Sequence, residues 1–170
     1  GGVLGIVVGM FVGSSALLWR ALRVPVEFLR PVPVIALVPV LVLTMGVGVE
    51  SKALLVGIAV FWMLFIQSLY GVQDVDPTLR DTARAYGIGA LERFVKFVLP
   101  TAGPYIATGV RIAGLMALVV AIAAELVMGG GLGLGVAASN AASEGLRPLT
   151  FAYITASGLL GLLLSWFLNQ

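Results

Sequence analysis

Five stretches of the chain are apolar over close to 20 residues: residues 1–19, 31–49, 53–72, 105–128 and 149–168. A helix needs about 20 such residues to cross the hydrocarbon core of a bilayer. Only helices and closed barrels satisfy every backbone polar group there. Runs of this length predict an all-α, polytopic transmembrane helix bundle. Composition closes off a soluble alternative, because 60% of residues are hydrophobic and only 11% are charged. A soluble domain typically carries about 25% charged residues.

Residue types that are missing exclude further classes. With no cysteine and no histidine, thiolate metal sites, disulfides and the commonest general base are all excluded. No catalytic or metal-binding group is expected. A net charge of +2 with dispersed basic residues does not suit nucleic acid, which requires a concentrated basic face. A start at Gly1-Gly2 without methionine reads as a single membrane domain, residues 1–170, that lacks its natural N-terminus.

Basic residues set the expected orientation. Arg20, Arg23 and Arg30 follow the first span, and Arg80, Arg84, Arg93 and Lys96 follow the third. Lys52 and Arg147 are alone in the other two connections, and the C-terminal tail has no basic residue. Lys and Arg concentrate on the cytoplasmic side, so loops 20–30 and 73–104 are expected to be cytoplasmic. Pro33 and Pro39 are expected to kink the second span. Gly1, Gly5, Gly9 and Gly13 recur every four residues, a stripe that lets another helix approach closely.

Loop 73–104 is the most polar part of the chain. Asp76-Pro77 reads as an N-cap and first helical position, and Gly87 as a left-handed helix end. A second helix is expected over residues 90–98, stopped by Pro100. The result is a helix–turn–helix on the membrane surface. Its small residues Thr82, Ala83 and Ala85, with Arg80 and Arg84 one turn apart, suit docking in a partner's groove better than lying on lipid.

The loop carries a family resemblance. Permeases of ATP-binding-cassette importers have a motif of Glu-Ala-Ala, three residues, Gly, nine residues, Ile, one residue, Leu-Pro. Here Asp81-Thr82-Ala83, Gly87, Phe97 and Leu99-Pro100 keep every spacing, with Asp for Glu and Phe for Ile. Thr82 resembles the variant of the nitrate, sulfonate and taurine importer branch. Leu29-Arg30-Pro31-Val32-Pro33, Ala36-Leu37-Val38-Pro39, the stretch from Leu99 to Ile106, Ala124-Glu125-Leu126 and Gly131-Leu132-Gly133 are similar to that branch as well.

The resemblance implies a permease subunit with six spans, five of them in this chain, that forms a translocation path. Loop 73–104 would be its coupling helix–turn–helix. Asp81, Thr82, Ala83, Arg84 and Gly87 would contact a separate ATP-binding cassette subunit, and Leu99 and Pro100 would set the angle to the membrane. The chain would be no enzyme, since ATP and Mg would be bound by that ATPase. An extracytoplasmic substrate-binding protein and a second permease copy, forming a homodimer, would complete the system in a bacterial inner membrane. A small anion or sulfonate-like nutrient is the expected substrate. The competing classes are an ion-gradient-driven secondary transporter and a non-transporting membrane scaffold, and neither gives the polar loop a role.

Glu125 is the one acidic residue well inside an apolar span. Intramembrane carboxylates default to a functional role. Two readings stay open: it lines or gates the path, or it pairs with a helix terminus or a basic residue at the outer interface. Residues 128–135 lack the lysine of a phosphate-binding loop and read as a turn or helix break.

Overall fold

The computed structural model describes residues 1–169, and among these every regular element is helical. The helices are α1 (Gly2–Ser14), α2 (Ala16–Leu29), α3 (Val38–Met45), α4 (Val49–Gln73), α5 (Pro77–Ala85), α6 (Ala90–Arg93), α7 (Leu99–Met128), α8 (Leu134–Ser143) and α9 (Arg147–Leu168). A 3-10 turn, Val34–Leu37, leads into α3, and a π-helical segment, Phe94–Val98, joins α6 to α7.

Three helical stretches are long and apolar enough to cross a membrane: Val49–Gln73, Ala90–Met128 and Arg147–Leu168. A fourth is reached if the broken pair Ala16–Leu29 and Val34–Met45 counts as one span. These contain the expected runs 53–72, 105–128 and 149–168. The expected first span, 1–19, differs: helix α1 has 13 residues and ends at Ser15. The Ser15 hydroxyl caps α2 by accepting from Leu18 N, a terminus that interrupts the apolar run locally. Residues 20–30, expected as a loop, mostly lie within α2. There Arg23 pairs with Glu27 one turn on, at 2.8 Å. The expected second span, 31–49, becomes the 3-10 turn plus the eight-residue α3, because Pro31, Pro33 and Pro39 leave the backbone short of donors.

The chain separates into two compact units, each built from two segments. One comprises Gly1–Arg30 and Phe61–Val110. In it a Cβ on Gly5 or Gly9 would collide with the backbone oxygen of Phe61 or Phe65, and one on Gly13 would crowd that of Leu69. The glycine stripe is therefore a contact face, and its register shows α1 and this part of α4 running parallel. Gly1, the fourth member, is the exposed cap of α1. Val12, Val26, Phe65, Ile66 and Leu69 form one buried cluster, and Met10, Val72 and Ala102 another. Gly71 meets Ala102 and Tyr105 while Gly109 meets Gln67, so α7 passes α4 in the antiparallel sense.

The other unit comprises Pro31–Val60 and Arg111–Gln170. Its buried cluster is Val38, Leu41, Leu55, Ala124 and Met128. Gly114 lies against Leu168, and Gly161 lies near Leu118, so α9 runs antiparallel to α7. No residue of α9 is buried, and its exposed surface carries Leu159, Leu162, Leu163, Trp166 and Phe167. In water that face would be untenable; in lipid it needs no cover.

Candidate functional site

The polar segment after α4 is organised by local hydrogen bonds. Asp76 caps α5 by accepting from Thr78 N at 2.8 Å, with Pro77 at the first helical position. At the other end, Gly87 has φ +71°. Its N–H donates to Arg84 O at 3.0 Å, and Ile88 N donates to Ala83 O at 3.0 Å. That pair of bonds is a Schellman closure, which requires a left-handed residue best supplied by glycine. The helix Pro77–Ala85 and its glycine end are where the sequence puts them.

The second arm is not. Helix was expected to stop at Pro100, but the chain stays helical from Ala90 through Met128, with Pro100 and Pro104 inside. The π-helical turn Phe94–Val98 explains the passage. Leu99 N donates to Phe94 O, five residues back, so the helix is already wider where the Pro100 ring would strike the preceding turn. Just beyond it, the Thr101 hydroxyl donates to Phe97 O at 2.8 Å.

The motif residues divide by face. Asp81, Thr82, Arg84 and Gly87 are exposed, whereas Ala83 is buried against the chain itself. Arg84 reaches Asp81 at 3.4 Å, with both side chains largely in solvent, a pair of little energetic weight. Arg80 turns back and donates to Val72 O at 2.8 Å, and so braces α5 against the end of α4. Arg93 does the same for the second arm by donating to Ile88 O at 2.8 Å. Tyr105 OH donates to Asp74 Oδ2 at 2.8 Å and ties α7 to the root of the hairpin. Leu99 and Pro100 are exposed at the start of α7. Nothing in the spacing of Arg80, Arg93 or Asp74 announces these contacts, which span eight, five and 31 residues.

Glu125 lies elsewhere, in the last turn of α7, and its Oε2 accepts from Gly135 N at 2.8 Å. Gly135 is in the first turn of α8, so the carboxylate satisfies a terminal donor and meets the positive end of that helix. Between them, Gly129, Gly130 and Gly131 all have positive φ. A Cβ on Gly133 would overlap the Glu125 carboxylate, and one on Gly135 would strike Ile122 O. The Lys52 ammonium donates to Gly130 O at 2.6 Å, holding the turn from α4. Of the two readings of Glu125, its pairing with a helix terminus has a geometric partner. Arg147, expected in a connection, is the first residue of α9.

Among the described residues no cluster of three acidic, histidine or cysteine side chains is placed to hold a metal. Fold and site together define a helical membrane protein with a capped surface hairpin leading into an apolar helix. The chain belongs to the family of binding-protein-dependent transport system inner membrane components, whose model matches residues 1–170. It is 31% identical over 163 residues to the nitrate import permease protein of Leptolyngbya laminosa, covering 96% of this chain and 58% of that one. It is 32% identical over 161 residues to the bicarbonate transport system permease protein of Synechocystis sp., covering 93% and 58%. The putative aliphatic sulfonates transport permease protein of Escherichia coli is 34% identical over 115 residues, covering 67% and 44%. The chain thus spans less than two thirds of the length of these relatives.

Proposed function

We propose that this chain is the membrane-spanning part of a permease subunit in an ATP-driven importer, with the hairpin 73–104 as its point of contact with a separate ATPase. One observation carries the reading: the hairpin is closed at both ends of α5 by its own hydrogen bonds and runs without a helical break into α7. Such a segment moves as a rigid piece, so a displacement imposed on α5 passes to α7 rather than dissipating in a loop. A gradient-driven carrier or a scaffold has no use for such a lever.

In this reading Asp81, Thr82, Arg84 and Gly87 present the contact face, Ala83 fixes α5 to its base, and Leu99 and Pro100 lie where the continuous helix sets out into the membrane. ATP and Mg are bound by the partner. Residues 20–30, mostly within α2, and the hairpin 73–104 face the cytoplasm of a bacterial inner membrane. The parallel register of α1 and α4 supports this, because it puts the ends of the two helices that lead into these segments on one side. Two copies form the path, and a substrate-binding protein delivers the cargo. Relatives named for nitrate, sulfonates and bicarbonate favour a small anion as substrate. Glu125 acts by holding the α7–α8 turn, a position from which it gates the outer side.

The test is to purify the full-length protein from membranes and look for a co-purifying ATP-binding subunit. ATP hydrolysis is then assayed with candidate loaded binding proteins. Stimulation by one of them supports the proposal and identifies the substrate. A stable, purified protein without any associated ATPase overturns it.

A further inference from the structure

Inside the hairpin, α5 and the helical arm from Ala90 to Val98 flank a cavity of about 200 Å³ whose lining residues include three arginines, Arg80, Arg84 and Arg93. Its walls are apolar, with Phe94, Phe97 and Val98 on one side. Arg80 and Arg93 are half-buried, and each has an N–H committed to a main-chain carbonyl. Among the described residues neither has a carboxylate within the 4.0 Å of an ion pair. Arg84 has only the long contact to Asp81. Two half-buried cations without a counter-ion, beside a third, leave an excess of positive charge that favours an anion.

We propose that this cavity binds the phosphate headgroup of an anionic phospholipid, with the first part of an acyl chain along Phe94 and Phe97. Ser14, the last residue of the apolar helix α1, also lines the cavity. The site thus lies at the level where an apolar helix ends, the depth of headgroups. Leu91 and Val95, on the arm that forms one wall, are 79% and 52% exposed, as lipid-facing positions are. Basic pockets beside membrane helices take anionic headgroups. An acidic side chain from a protein partner would satisfy the charge but not the apolar wall. The proposal rests on the hairpin lying at the membrane surface and not on its docking to an ATPase. The lipid would stiffen the hairpin by joining its two arms through one anion.

Native mass spectrometry of the full-length protein in neutral detergent, titrated with phosphatidylglycerol or phosphatidylcholine, tests this. Phosphatidylglycerol, the anionic one, should bind at least tenfold more tightly than zwitterionic phosphatidylcholine. Arg84→Gln should lower its affinity about tenfold, on the scale of one lost charge-assisted hydrogen bond, while Arg84→Lys retains most of it. Arg84 is exposed, so these variants keep the fold, and an unchanged melting temperature in the absence of lipid verifies that. Equal binding of the two lipids overturns the proposal. Displacement of phosphatidylglycerol by millimolar inorganic phosphate also overturns it, in favour of a free-phosphate site. Loss of a co-purifying ATPase in Arg84→Gln with lipid binding unchanged overturns it in favour of a protein contact.

Discussion

The turn at Gly87 and the turn at residues 129–133 both reverse the chain at glycine, yet they are held in different ways. The first is local. Asp76, Pro77 and Gly87 act within two or three residues of the groups they serve, and the closing bonds are main chain to main chain. The second is held at a distance: Glu125 reaches ten residues ahead to Gly135, and Lys52 reaches 78 residues to Gly130. Gly133 and Gly135 there matter for space, since a Cβ on Gly133 would overlap the Glu125 carboxylate and one on Gly135 would strike Ile122 O. A turn that depends on its own few residues can move as one body. A turn pinned by charges from elsewhere stays only while those charges hold it, which suits a point of control.

The contrast predicts a ranking of stabilities, measurable as thermal unfolding of the full-length protein in detergent. Gly135→Val should be the most damaging, costing about 3 kcal/mol or more, because the side chain must displace the α7 backbone. Glu125→Ala should cost about 2 kcal/mol by stranding the Gly135 N–H, and Glu125→Gln distinctly less because an acceptor remains. If Glu125→Ala is silent, the long-range pinning is wrong and the two turns are alike. Gly87→Val should cost about 1–2 kcal/mol for a branched residue in the left-handed region. It should also lower substrate-stimulated transport more than this loss of stability explains, since it deforms the contact face. Asp76→Ala should be the mildest at about 1 kcal/mol, and Asp76→Asn close to neutral.

The same contrast shows what was legible in the sequence. The three long spans could be read from their apolar length, and the Gly5, Gly9 and Gly13 face from its spacing. The hairpin's first arm could be read because caps are short-range rules. What failed was longer-range or cooperative. Arg20, Arg23 and Glu27 made residues 20–30 look like a loop, although Trp19 and Val26, two turns apart, pack against the Phe65 cluster and define a helix. Pro100 looked like a stop because the π-helical turn that accommodates it has no sequence mark. Of the candidate site residues, Asp81, Thr82, Arg84 and Gly87 share an exposed segment, while Ala83 faces inward for a reason only the packing shows. The partners of Glu125 could be guessed as to kind, a helix terminus, but not as to residue.

The central claim, that the outer face of α5 docks on an ATP-binding subunit, has a direct test. The chain contains no cysteine, so Thr82→Cys places a single thiol on the exposed face within this sequence. Short bifunctional cross-linking of that variant, in membranes containing the assembled system, should join it to an ATP-binding subunit and to little else. A cross-link to the ATPase from Leu132→Cys, in the other glycine turn, with none from Thr82→Cys, would contradict the account.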